Sequence, residues 1–481
     1  MAVLNEGAGC TAPLWKFFEE MLAIPHGSGN EAALAQYIRS FAQERKLPVR
    51  IDAAGNVIIK KPASPGYEDH PPVVLQGHID MVCEKNDGTV HDFEQDPIRP
   101  VIDGDWLRAD GTTLGADNGI GVAAALAVLD DPDLKHPSLE ALFTVDEETG
   151  LNGAMAITPD LIEGRRLINL DSEEEGVFYF GCAGGRNTSG SLVPSFASPR
   201  SGSRMLRLRV EGLSGGHSGG EIHRRLGNAL QLGALAICSA EAESMEIVSL
   251  RGGGKHNAIP REAEFILALA PGDIPRLKEA AAKVEVDARG LYTEDKPVRV
   301  VVEELKEKPS RVLKDGIRII RGLLAMPHGS QEMSTVVPGM VETSTNLAAV
   351  TMDDTKLYVL TSQRSAAGYK RDIISRRVKA QLELMGCTVE YESEYPSWEP
   401  NPDSPLLRFA AEVYREARKK EPHLTAVHAG LECGVIADKV PGMDMVSFGP
   451  DLEGAHSPDE RVSIPSTEAF WSFLKELLAR L

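Results

Sequence analysis

Long apolar runs are missing from this sequence: no stretch of its 481 residues approaches the ~20 consecutive apolar residues of a membrane-spanning helix. The opening MAVLNEGAGCTAPLWKFFEE also lacks the basic segment and apolar core of an export signal. A cytoplasmic protein with no membrane partner is therefore expected. Cysteine is sparse, with six residues (Cys10, Cys83, Cys182, Cys238, Cys387 and Cys433) and no CxxC pair. That scatter fits reduced intracellular thiols better than a disulfide framework. Positive charge is in deficit, since 51 lysines and arginines face 71 acidic residues for a formal net charge of −20. Such a field attracts neither nucleic acid nor an anionic membrane, so no nucleic-acid partner is expected.

What is present is an ordinary globular composition at a length that exceeds one core, which implies two domains or more. An amphipathic opening, APLWKFFEEMLAIP, precedes a helix pattern in which Leu34, Tyr37, Ile38 and Phe41 repeat at helical spacing. VRIDAAGNVIIKK reads as a hairpin around Gly55 and Asn56. Then VVLQG, the helix GIGVAAALAVLDD, SLEALFTV and RRLINLD alternate as strands and helices do around a largely parallel sheet. After GCAGG the texture changes to half-exposed strands, with AEFILAL and KLYVLTSQRS each followed by a helix. The expected fold class is α/β, with a first domain from residues 1–185 and 399–481 and an inserted α+β domain over 186–398. LAIPHGS near residue 26 recurs as LAMPHGS near residue 328 in unmatched surroundings, which points to turn chemistry, not duplication.

Four of the expected strands run into acids or histidine. VVLQG leads to His78 and Asp80, LEALFTV to Asp146, Glu147 and Glu148, RLINL to Asp171, and DMVSFGP to a loop bearing His456. In parallel sheets the ligand site lies beyond the carboxyl ends of the strands. Asp117, in TTLGADNGIG just before an apolar helix, joins them. Two histidines and at least three carboxylates on one rim would form a metal site. Five groups exceed what one open zinc site needs and suit two divalent ions about 3.5–4 Å apart. Asp117 is the natural bridge, with His78 and Asp171 on one ion and Glu148 and His456 on the other. Asp80 would orient the His78 imidazole. Of the vicinal pair Glu147 and Glu148, one would bind metal and the other take a proton from the bridging water.

The motifs GHIDMV, GADNGIG, DEETGLNGA, LINLDSEEEG and GAHSPDE resemble those of the co-catalytic zinc peptidases, the group that includes aminoacylases and carboxypeptidase G. HIDMVCEKN and GGHSGGEIH look most like its dipeptidases. The likeness spans nearly the whole chain. It implies a dizinc catalytic domain, a mobile lid in the inserted domain, and two divalent ions, with zinc expected. It implies Glu147 as general base and Asp117 as bridge. It also implies that His217 in SGGHSGG stabilises the oxyanion, and that Asn257 in KHNAIP and Arg364 in TSQRS hold the substrate and its terminal carboxylate. A dipeptide substrate, Xaa-His among others, follows from the resemblance, as does a homodimer formed through the lid. The alternative is an N-acyl amino acid deacylase of the same fold. His428, in VHAGLECG, is a further pocket candidate.

Overall fold

The computed structural model describes residues 12–295 and 297–481; Cys10 lies outside them. Two compact units emerge. Unit 1 comprises the chain through Cys182, Pro400–Ala426 and Leu431–Leu481, and unit 2 comprises Ala183–Glu399 and Val427–Gly430. Five residues of the expected tail segment 399–481, Glu399 and Val427–Gly430, thus belong with unit 2, as do Ala183–Gly185 of the expected first segment.

Unit 1 is built on an eight-stranded sheet: β1 Val49–Ile51, β2 Val57–Lys61, β3 Val73–His78, β4 Leu139–Thr144, β5 Arg166–Asn169, β6 Val177–Cys182, β7 His423–Val427 and β8 Asp444–Ser447. Their order across the sheet is β1-β2-β4-β3-β5-β8-β6-β7. The four central strands β4, β3, β5 and β8 run parallel, while β1, β2 and β6 pair antiparallel at the flanks. β3 and β4 are buried at every position. This is why their residues are mostly apolar: both faces of a parallel strand are covered. Each fully buried valine or leucine there contributes about 1.5–3 kcal/mol of transfer free energy.

The helix Ala116–Asp130 packs on β3 and is itself covered by the helix Leu14–Leu22. Its Val122–Leu129 stretch is buried all round, as a helix between two layers must be. Close approach is bought by glycine, for a Cβ on Gly121 would stand 2.5 Å from the Leu170 carbonyl oxygen. The tail completes the layer, because helices Pro405–Arg418 and Ile464–Arg480 bring Tyr414 and Phe473 into edge and stacked contact with Phe178, at centroid separations of 5.3 Å. A small sheet, Leu452–Glu453, Arg461–Ser463, Trp106–Ala109 and Pro100–Asp103, ties the segment after β8 to the one before Asp117.

Unit 2 holds a nine-stranded antiparallel sheet. Helices Ala229–Ser239, Ile274–Leu291, Gly316–Ala325 and Gly368–Leu384 share one hydrophobic core with it. The two PHGS segments each follow the end of a helix, Leu14–Leu22 and Gly316–Ala325, where the residue before proline leaves helical backbone. No described helix is long and apolar enough to cross a membrane.

Candidate active site

The parallel strands deliver the candidate residues of unit 1 to one edge. His78 is the last residue of β3, Asp171 follows β5 by two positions, and Glu147 and Glu148 follow β4. His456 lies between Leu452–Glu453 and Arg461–Ser463. Asp117 stands at the start of its helix in extended backbone, with φ −84° and ψ 109°.

His78 Nε2 lies 3.1 Å from Asp117 Oδ1 and 3.6 Å from Asp171 Oδ1. His456 Nε2 lies 3.2 Å from Asp117 Oδ2 and 3.1 Å from Glu148 Oε2. Each oxygen of Asp117 therefore faces a different histidine. Two trios share that carboxylate, His78–Asp117–Asp171 and Asp117–Glu148–His456, with the ligand atoms of each within 4.8 Å of one another. The buried Glu148 Oε1 has no hydrogen-bond partner among the described residues. Two imidazoles, three carboxylates and an orphaned carboxylate oxygen form a donor set that fits a pair of divalent ions.

The charges are mutually strained in the way such a site requires. Burial drives the Asp171 carboxyl up, to about 6, with His78 opposing and Asp117 adding to the rise. Burial also works on Asp117, but hydrogen bonds from His456 and His78 hold it well below the ordinary range. His456 is pushed up to about 11 by its bonds to Asp117 and Glu148. Glu147 is raised well above the usual carboxylate value, chiefly by burial; the charge of His78 opposes this, and Asp171, Glu432 and Glu148 reinforce it. A carboxylate displaced toward neutrality suits general-base work.

Asp80 organises the edge. Its Oδ1 accepts the Glu147 N–H (3.0 Å) and its Oδ2 the Glu148 N–H (3.2 Å) and the Ser28 hydroxyl (2.8 Å). His78 Nδ1 lies 3.4 Å from Asp80 Oδ1. Burial would raise this carboxyl, but the hydrogen bond and charge of His78, with the Glu147 and Ser28 donors, pull it down to about 2. Asp146 turns away, because its oxygens accept from the Thr149 hydroxyl and the Asn152 amide, both at 2.6 Å.

Glu460 is the residue that motif spacing misses. Buried at 2% exposure, its carboxylate accepts the backbone N–H groups of Leu114, Gly115, Ala116 and Asp117 at 2.7–3.2 Å. It sits four residues after His456 and directly before Arg461–Ser463, whose pairing with Trp106–Ala109 aims it there. The only signal in sequence is the acid in GAHSPDE, one among many. Glu460→Ala is expected to weaken metal retention by roughly 10–100-fold, the usual cost of losing a supporting residue, as read by chelator competition. A lowered melting temperature with unchanged retention would leave Glu460 a structural cap alone.

Unit 2 gathers the remaining candidates. His217 ends the strand Gly216–His217, which pairs with Ala258–Ile259, and the Ser218 N–H donates to the Asn257 carbonyl at 2.8 Å. Gly220 N–H donates to His217 Nδ1 at 3.0 Å, so the neutral ring carries its proton on Nε2. Arg364, 7% exposed, donates to the Tyr395 hydroxyl at 2.9 Å, while its Nε has no partner among the described residues. Gly219 lets these groups close up, since a Cβ there would stand 3.0 Å from His217 Cε1 and 3.3 Å from Arg364 Cζ. His428 is also here, its Nε2 2.7 Å from the Ser344 hydroxyl. Burial, then the Arg364 charge, lowers its pKa to about 3 and keeps it neutral.

Residues 74–480 match the family described as peptidase family M20/M25/M40. The chain is 41% identical over 472 residues to the cytosol non-specific dipeptidase of Escherichia coli (strain K12), spanning 98% of this chain and 97% of that protein. It is 40% identical to aminoacylhistidine dipeptidase from Vibrio alginolyticus, whose crystal structure superposes with a TM-score of 0.90 over 100% of this chain and 98% of the other. A Staphylococcus aureus tripeptidase shares the fold at 16% identity, with a TM-score of 0.56 and 97% of each chain covered. A family match over most of the sequence, relatives similar almost end to end, and the motifs at the strand ends converge: the chain belongs to peptidase family M20/M25/M40.

Proposed function

We propose that the chain is a metal-dependent dipeptidase that hydrolyses Xaa-His and other dipeptides, and that zinc is its metal. The observation that carries this is Asp117 facing His78 with one oxygen and His456 with the other, beside a buried Glu147 hung from Asp80. His78 and Asp171 would hold one ion, Glu148 and His456 the second, with Asp117 shared between them. Two bound ions supply Lewis-acid polarisation of the scissile carbonyl and an acidified water.

The remaining steps belong to the chain. Glu147 takes the proton of the attacking water on its carboxylate and returns it to the leaving amine; its elevated proton affinity serves both transfers. Asp80 fixes the Glu147 backbone and the His78 ring. His217 offers Nε2–H to the oxyanion, and Arg364 and Asn257 hold the substrate and its terminal carboxylate. In keeping with the cytosolic relative, we read the protein as cytoplasmic; we also read it as a homodimer formed through the inserted domain, which light scattering on the purified chain tests.

Hydrolysis of a panel of dipeptides and N-acyl amino acids, with and without a chelator, tests the reading. Dipeptides should be cleaved, the activity should vanish with chelator and return with added zinc. Cleavage of the N-acyl compounds alone would make the protein a deacylase. His217→Ala should leave metal content and melting temperature unchanged yet cut kcat by roughly 10²–10³-fold, the typical loss of one oxyanion donor. KM should move less, because the contact strengthens only as charge develops. Unchanged kcat would remove His217 from the chemistry.

A further inference from the structure

Beneath the candidate ligands the parallel strands carry a polar relay where apolar side chains are the rule. Gln76 lies two residues before His78, Asn169 two before Asp171, and Thr144 three before Glu147. All three, with Ser447 of β8 and Glu432, have no exposed surface. Asn169 Nδ2 donates to Gln76 Oε1 at 2.5 Å. Gln76 Nε2 donates to Glu432 Oε2 at 2.5 Å and to Thr144 Oγ1 at 3.2 Å. The Thr144 hydroxyl donates to the same Glu432 oxygen at 2.6 Å. At the far end, Asn169 Oδ1 accepts the Ser447 hydroxyl (2.5 Å) and the Asp171 N–H (3.2 Å).

Glu432 sets the direction of this relay. Its Oε2 accepts from both the Gln76 amide and the Thr144 hydroxyl, so it draws the Gln76 amide nitrogen toward itself and turns Gln76 Oε1 to Asn169. That in turn commits Asn169 Nδ2 to Gln76 and leaves Asn169 Oδ1 facing the Asp171 backbone. Without the carboxylate, both amides are free to flip, and the Asp171 N–H meets a donor. Chains of buried hydrogen bonds reinforce one another, so the loss propagates.

We propose that Glu432 is a positioning residue of the metal centre: by ending the Asn169–Gln76–Thr144 relay it holds the strand ends that present His78 and Asp171. The proposal rests on these two residues being ligands, as read above. Glu432→Leu removes the acceptor at similar volume, whereas Glu432→Gln keeps an oxygen for Gln76 and Thr144. Glu432→Leu should release metal to a competing chelator roughly 10–100-fold more readily and lower kcat more than it alters KM, and Glu432→Gln should restore both. Thr144→Val, which loses one donor and keeps its shape, should weaken retention less than Glu432→Leu; it carries the test if the leucine variant does not fold. A folded Glu432→Leu that retains metal as the unmodified protein does, an unchanged Thr144→Val, or a glutamine variant as impaired as leucine, would overturn the proposal. The unmodified protein is the control: if it binds no pair of ions, the metal reading fails and not the role of Glu432.

Discussion

Glu147→Gln is expected to keep its metal and lose about 10²–10⁴-fold in kcat, the usual contribution of a general acid–base group. The substitution preserves the shape of the side chain and leaves the Asp80 contacts untouched, because Asp80 accepts from the Glu147 backbone and not its side chain. What disappears is the ability to accept a proton. Glu147 is the acid at this edge that neither trio around Asp117 needs, and burial among like charges raises its proton affinity. Metal analysis alongside steady-state kinetics decides the matter. Near-normal turnover with two bound ions would exclude Glu147 as the base.

Asp117→Ala should do the opposite and strip the metal as well as the activity. Both oxygens of Asp117 are engaged, at 3.1 Å from His78 and 3.2 Å from His456. Its removal therefore severs the shared ligand of both trios, and the loss in metal affinity should exceed the ~10–100-fold typical of supporting residues. Activity should fall to background and should not return at moderate zinc. A variant that still holds two ions against a chelator would refute the bridging role and direct attention to Glu148 or Asp171.

The residues at the strand ends were legible because of how a covered parallel strand is written. VVLQG, LEALFT and RLIN stay buried to their ends, so the first charged side chain after each marks the sheet edge. The supporting groups carry no such mark. Glu460 depends on a pairing between Arg461–Ser463 and Trp106–Ala109, strands of three and four residues far apart in sequence. Glu432 and its relay hide as polar residues inside apolar strands, where only the neighbouring strand supplies the partner. In unit 2 the longest strand, Val341–Met352, buries Thr343, Ser344, Thr345 and Asn346. Those side chains find hydrogen bonds that no local pattern announces.

The strand order of unit 1 also fixes when that unit can exist. β8 lies between β5 and β6, yet it is the last strand of the sheet to be made. During synthesis β5 and β6 must wait with open hydrogen-bonding edges while the whole of Ala183–Glu399 emerges, and unit 2 lacks only Val427–Gly430 by then. The ribosome thus releases a nearly finished insert before its host can close, and a chain cut short between Cys182 and Asp444 leaves the facing edges of β5 and β6 unpaired, a template for aggregation.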